Sequence, residues 1–345
     1  MEKIRFIIVG SGWRSLFYVR IAKALPQFFE LCAMLCRTEE KAAKIAAENG
    51  IHTTVSEQEC IELQPDLVVV AVNKASLAEV SMHWMEMGYC VLCETPAAMD
   101  DKTLDRLLEM ERKGARLVIN EQYHRYPVYS SLIKIANSGL IGDPMCLEIS
   151  VAHEYHAASL IRALLNIDSS ENYKVSSVTK GFETTLTRTR YEVITDGRTE
   201  IKNRTFSLVE FESGKTALYS FDSEQYRSPI RHNFLRLSGI RGEIYNNSIY
   251  WLDDRNMPRQ EDLEIKRESG ETTEISCNDK ILYTPPFGLC GLPDDETAMA
   301  CMMLEAGLYA KKTGNSPYSL EQAVADARFR IRMYQNVSEC VADAQ

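Results

Sequence analysis

The chain has no surplus of positive charge: 39 Lys and Arg stand against 49 Asp and Glu, a formal charge of −10 at pH 7. That removes the basic face on which nucleic-acid binding depends and points to a small polar or neutral partner. Long apolar runs are also missing. Stretches such as Leu67 to Val72 stop far short of the roughly 20 residues that a membrane helix needs, so no membrane partner is expected. A strand pattern begins within the first few residues, which leaves no room for a signal peptide. The ten cysteines are scattered through apparent core strands, Cys32, Cys36, Cys90 and Cys93 among them. They are expected as buried thiols in a reducing cytoplasm, and neither a cysteine zinc site nor another metal centre is expected. There is no internal repeat and no low-complexity segment.

What is present begins with Ile4 to Leu25. The β-branched and aromatic run Ile4 to Val9 leads into Gly10-Ser11-Gly12, then Trp13-Arg14 and a segment of helical periodicity. Strand, tight turn and helix in this order aim free backbone N–H groups at an anion, with glycines letting a pyrophosphate approach closely. The third glycine of the G-x-G-x-x-G pattern is Ser15 here, and a glycine turn alone is also compatible with a plain connection. The next hundred residues favour the dinucleotide reading. Phe29 to Cys36, His52 to Val55, Asp66 to Val72, Tyr89 to Cys93 and Arg116 to Asn120 read as strands, with helical segments between them. Strands apolar on both faces and alternating with helices specify a doubly wound parallel sheet. At 345 residues a second domain is expected; the boundary falls at residues 1–121 for the nucleotide domain and 122–345 for the rest.

An acid at the end of the second strand would hold the ribose 2′-OH of NAD. Here that place reads Cys36-Arg37-Thr38. With no carboxylate to repel a phosphate, and with Arg37 and Arg14 both at hand, NADP is expected over NAD, which stays possible. The competing reading of Arg37 is a cation that solvates the start of the next helix.

The run Val91-Leu92-Cys93-Glu94-Thr95-Pro96 resembles the Glu-Lys-Pro segment of the glucose-fructose oxidoreductase, inositol dehydrogenase and rhizopine catabolism (Gfo/Idh/MocA) family. The resemblance takes in the glycine turn, Ala71-Val72-Asn73, the stretch from Gln122 to Pro127, and Tyr318-Ser319-Leu320-Glu321-Gln322-Ala323. It implies a Rossmann domain followed by an α/β domain with a large open, mainly antiparallel sheet. It also implies a nicotinamide cofactor contacted by Glu94 and Gln122, sugar or polyol substrates, and dimers or tetramers formed through the open sheet face. Two departures stand out. Thr95 replaces the proton-transferring lysine, and the family's His-x-x-Asp reads His156-Ala157-Ala158-Ser159. A threonine hydroxyl hydrogen-bonds but is neither cation nor base near neutral pH. Family members without the lysine, the thiazolinyl imine reductases, resemble this pattern and imply a tyrosine after the sixth strand as proton donor, which is Tyr123 here.

In the second domain a strand from Met145 to His153 leads into His153-Glu154-Tyr155-His156. Imidazoles that titrate near neutrality suit acid and base work, so His156 and His153 join Tyr123 and Thr95 as candidate catalytic residues. Glu154 reads either as a residue that orients them or as a solvated strand end. Strands are expected at Ser177 to Arg190, Arg204 to Glu212 and Lys215 to Asp222, with Ser213-Gly214 as a hairpin turn. The basic segment Tyr226 to His232 reads as a charged sheet-edge loop. Asn256 to Asp279 reads as a loop or short edge hairpin, and two long helices are expected at Asp294 to Lys312 and Leu320 to Val341, the last packing near the first domain. The expected activity is hydride transfer between NAD(P) and a small polar carbonyl, alcohol or imine. The alternatives are a redox-neutral glycosidase or lyase with a tightly held nicotinamide, and a non-catalytic nucleotide-binding or regulatory protein.

Overall fold

The computed structural model describes residues 2–335. The part of the expected last helix at 336–341 lies outside the described residues. The chain forms two compact units that are not consecutive lengths of sequence. Unit 1 runs to Pro127 and adds Ile265–Glu274 and Tyr283–Ala327; unit 2 takes Val128–Glu264, Ile275–Leu282 and residues 328–335.

Unit 1 opens with β1 (Ile4–Val9), α1 (Ser15–Ala24), β2 (Phe29–Leu35), α2 (Glu39–Asn49), β3 (Thr53–Thr54) and α3 (Glu57–Glu62). It continues with β4 (Leu67–Val70), α4 (Leu77–Glu86), β5 (Cys90–Cys93), α5 (Asp101–Arg112) and β6 (Arg116–Ile119). The six strands are parallel, in the order β3-β2-β1-β4-β5-β6. The order reverses between β1 and β4, and ligands of such sheets bind in the crevice at that point. Local chemistry sets the helix ends. Thr38 caps α2 by accepting from the Lys41 N–H, and Gly50 closes it in the left-handed region at φ 60°. Ser56 caps α3 in the same manner. Val68, Val69 and Val70 are fully buried, each side chain contributing about 1.5–3 kcal/mol over its exposed state.

Cys90 and Cys93 stand at C-x-x-C spacing, yet as first and fourth residues of β5 they project to opposite faces of the sheet. The nine described cysteines are free thiols. No group of three or more His, Cys, Asp or Glu among the described residues is placed to hold a metal ion. No described helix is long and apolar enough to cross a membrane.

Unit 2 contains α6 (Pro127–Asn137), β7 (Pro144–Ser150), α7 (Glu154–Leu165), β8 (Tyr173–Thr185), β9 (Thr199–Phe211) and β10 (Thr216–Phe221). Then come β11 (Phe234–Gly239), β12 (Gly242–Tyr245), β13 (Ser248–Leu252) and β14 (Pro258–Asp262). Its eight-stranded sheet runs β14-β13-β12-β11-β7-β10-β9-β8. β7 and β10 pair in parallel and the other pairs are antiparallel. One face is core, with Val209 and Ala217 fully buried, while Leu208 and Leu218 lie on the exposed face. The expected hairpin turn at Ser213-Gly214 is present, with Gly214 at φ 83°.

Two expectations are corrected. Asn256 to Asp279 is neither loop nor single hairpin; it supplies β14 and then β15 (Glu264–Glu268) and β16 (Glu271–Cys277), which with β17 (Lys280–Tyr283) form a small sheet. These strands carry exposed polar side chains on most positions, so no apolar alternation marks them. The sequence reading also gave everything after residue 121 to the second domain, but α8 (Asp294–Ala310) packs in unit 1 against α1, β1, β4 and β5. Arg20 on α1 pairs with the buried Glu296 at 2.6 Å, and a Cβ added at Gly307 would lie 2.5 Å from Ile4. The last helix, α9 (Leu320–Gln335), is divided between the units at Ala327.

Candidate active site

In unit 1 the reversal of strand order puts the end of β1 beside the end of β4. Gly10 turns there at φ 115°, and a Cβ on it would fall 2.4 Å from the Ala71 carbonyl oxygen, so only glycine fits. Around Gly12 there is open space for 4 Å where a Cβ would stand. Ser15, at the pattern's third glycine position, is fully buried and its hydroxyl donates to the same Ala71 carbonyl at 3.3 Å. The substitution thus keeps the close approach of α1 to β4 by adding a hydrogen bond.

A cleft of about 930 Å³ is lined by Gly10, Ser11, Gly12, Trp13, Arg14, Cys36, Arg37, Thr38, Val72 and Asn73, with Lys41 and Glu57 added to the residues expected from sequence. Glu57 is paired with His83 at 2.9 Å. Burial pushes the Cys36 thiol above its ordinary range, so the end of β2 presents a neutral group flanked by Arg37 and Lys41. Open backbone at Gly12, a helix N-terminus beyond it and cations at the end of β2 fit a dinucleotide phosphate and ribose.

Glu94 and Gln122 lie outside the cleft lining and reach it through Arg14. The β5–β6 register pairs Cys93 with Ile119, so the next residues, Glu94 and Asn120, emerge side by side. Three donors converge on Glu94 Oε1: Arg14 Nε at 2.9 Å, Tyr18 Oη at 2.5 Å and Asn120 Nδ2 at 3.1 Å. The Gln122 amide donates to the Asn120 carbonyl at 2.6 Å and accepts from Arg14 Nη2 at 2.8 Å. Burial works against the Arg14 charge, but Glu94, Tyr18 and Tyr126 together outweigh it and hold the guanidinium above its ordinary range. Burial, and then Glu94 itself, push the Tyr18 hydroxyl well up, which keeps it a donor. Arg14 is therefore both a lining residue of the cleft and a spoke of a buried network that fixes the turn. Thr95 follows Glu94, half-buried, and its bond to Pro96 is cis. Tyr123 begins a short 3-10 turn, Tyr123–Arg125, and stacks on Tyr126 with ring centroids 4.6 Å apart.

In unit 2, β7 ends at Ser150, short of the expected His153, and His153 is the N-cap of α7. His156 is buried one turn in, 5.5 Å from His153 between ring centroids. Glu154 does neither of the things expected of it. It accepts from Tyr334 and lies 3.6 Å from Arg330, both on α9. Arg227 and Arg231 are exposed, whereas Tyr226, at the end of the 3-10 turn Ser223–Tyr226, hydrogen-bonds His153 Nδ1 at 2.7 Å.

Sequence reasoning missed Tyr18, Lys41, Asn120 and Tyr226 as site residues. Lys41 had a signal in its spacing of four from Arg37, and Asn120 in its place beside Glu94 on an adjacent strand. Tyr18 and Tyr226 had none that is local.

The comparisons with known proteins agree with the geometry of unit 1. Over 107 residues the chain is 31% identical to scyllo-inositol 2-dehydrogenase (NADP(+)) of Bacillus subtilis, covering 30% of this chain and 32% of that protein. It is 24% identical over 164 residues to Glycosyl hydrolase family 109 protein 1 of Phocaeicola vulgatus, covering 44% of this chain and 35% of the relative. The chain spans about half the length of the curated relatives it matches, 45% of one and 48% of another. An oxidoreductase from Agrobacterium radiobacter, solved with NAD+, L-tartaric acid and magnesium, shares the fold at a TM-score of 0.70 and 12% identity, over 97% of this chain and 96% of that one. Residues 4–122 match the family model of oxidoreductases with an NAD-binding Rossmann fold. Over these residues the chain is similar to the NAD-binding Rossmann domain of the Gfo/Idh/MocA oxidoreductases.

Proposed function

We propose that this protein is an oxidoreductase that uses NADP in preference to NAD to interconvert a small polar alcohol and its carbonyl, or an amine and its imine, with sugar or polyol derivatives as the substrate class. The observation that carries the reading is the open Gly12 cradle at the reversal of strand order, with a neutral Cys36 between Ser11 and the cations Arg37 and Lys41. When bound, the nicotinamide supplies or accepts the hydride. The chain's own residues orient the substrate and move its proton: Tyr123 and His156 exchange the proton, while Thr95 and His153 hydrogen-bond the reacting oxygen or nitrogen. The Glu94 network holds Arg14 and the glycine turn in place during this. The inositol substrate and NADP named for the Bacillus relative support both the substrate class and the cofactor. Copies of the chain are proposed to associate through the open sheet face that carries Leu208 and Leu218, in the cytoplasm.

The test is incubation with inositols, hexoses and their keto forms, followed by nicotinamide absorbance. Turnover of a polyol or its ketone, reduced about a hundredfold or more in Tyr123→Phe and His156→Ala, is the expected result. Tight NADP binding without turnover of any substrate would favour a regulatory protein instead. The glycosyl hydrolase relative motivates a second reading, redox-neutral cleavage of a glycoside. Product release without net change in the cofactor would select it.

A further inference from the structure

The entry into α7 gathers a set of aromatic rings around one histidine. The His153 imidazole is surrounded by rings, with centroids of Tyr226 at 5.0 Å, Tyr155 at 5.4 Å, His156 at 5.5 Å and Phe221 at 6.3 Å. The Tyr226 oxygen makes two contacts with this one residue, 3.0 Å from its backbone N and 2.7 Å from Nδ1. The backbone N–H only donates, so it occupies a lone pair of the phenolic oxygen. The direction of the second bond follows from acidity. A phenol is a stronger acid than a neutral imidazole N–H, and an imidazole nitrogen is a stronger base than a phenolic oxygen. An N–H donated to the oxygen makes its O–H a better donor still. The hydroxyl therefore donates to Nδ1, and the proton of neutral His153 sits on Nε2.

Tyr226 is held rigidly enough for this. Asp222 and Gln225 close a capping box around its 3-10 turn. Gln225 donates to the carbonyls of Ser150 at 3.3 Å and His232 at 3.0 Å. Arg204 donates to Asp222 at 3.0 Å and Gln225 at 2.7 Å, and Lys202 lies 3.4 Å from Glu224.

We propose that Tyr226 is a positioning residue that holds neutral His153 as the Nε2–H tautomer, so that His153 is a fixed hydrogen-bond donor to a substrate oxygen. The proposal rests on the function given above and adds a residue to it. The other titratable groups around the ring leave that assignment in place. Glu154 is engaged by Arg330 and Tyr334. Tyr219 on β10 donates to the Ala152 carbonyl at 3.2 Å, and burial pushes the Tyr219 and Tyr129 hydroxyls up, which keeps them neutral.

The test is nitrogen NMR on the full chain carrying isotope-labelled histidine, with His153→Gln identifying the His153 signals among the six histidines. Near neutral pH, Nδ1 is expected at the frequency of an unprotonated nitrogen and Nε2 at that of a protonated one. Tyr226→Phe is expected to mix the tautomers and so move the Nδ1 and Nε2 frequencies towards each other. A wild-type His153 protonated on Nδ1, or unchanged frequencies in the variant, overturns the proposal. The wild-type spectrum decides even if Tyr226→Phe fails to fold. The readout needs neither substrate nor nicotinamide, so a protein that turned over no substrate would contradict the proposed function without touching this result.

Discussion

The chain begins two helices where chemistry is expected, and it builds them in opposite ways. At α1 the working parts are backbone. Gly10 turns under the Ala71 carbonyl, Gly12 leaves a gap, and the side chains nearby serve to hold that turn still. At α7 no glycine is involved. The N-cap is His153, and its orientation comes from Tyr226, 73 residues further along the chain. A site made of backbone imposes its conformational demands on neighbouring residues and so leaves a local pattern. A site made of side chains is completed by whatever the tertiary fold delivers, and its partners can stand anywhere in the sequence.

The sharpest way to break this contrast is at Glu94, where side chains buttress the backbone site. Glu94→Ala strands the Arg14 charge and removes the shared acceptor of Tyr18 and Asn120, so it is expected to cost about 3–5 kcal/mol. Urea denaturation checks this, and a cost under about 1 kcal/mol would show that the glycines hold the turn unaided. Gly10→Ala, which forces a Cβ against a carbonyl at positive φ, is expected to cost about 2–3 kcal/mol together with nucleotide binding. Gly12→Ala sharpens the comparison. Its Cβ meets open space, so the melting transition is expected to stay within about 0.5 kcal/mol of wild type while dinucleotide affinity falls at least tenfold. Equal losses of stability and binding would mean that Gly12 shapes the fold and not the cradle. At the other helix, Tyr226→Phe is expected to cost only about 0.5–1.5 kcal/mol, the worth of one hydrogen bond, again by denaturation.

The same distinction explains what the sequence disclosed. The parallel sheet was legible because β4 and β5 are buried and apolar throughout and alternate with helical segments. The glycine turn from Gly10 to Gly12 was legible for the backbone reason given above, whereas Lys41 and Glu57 of the same cleft were not. α8 was recognised as a helix, but nothing in its own residues says that Gly307 packs on Ile4, so its unit was misread. β15 and β16 were missed since their outward positions are charged. Arg14 was read by its charge alone, and its bond to Glu94, 80 residues away, left no local signal. Tyr226 stood in a segment whose arginines drew the attention, although they point to solvent.

The claim on which the rest depends is that the cleft of unit 1 holds a dinucleotide with its 2′-phosphate beside Arg37. Titrating NADP and NAD against intrinsic fluorescence tests it directly, because Trp13 lines that cleft and is 43% exposed. The expected result is NADP binding at least about tenfold tighter than NAD, a difference of about 1.4 kcal/mol, with Arg37→Ala weakening NADP to the level of NAD and leaving NAD unchanged. Equal or tighter binding of NAD, indifferent to Arg37→Ala, would contradict it.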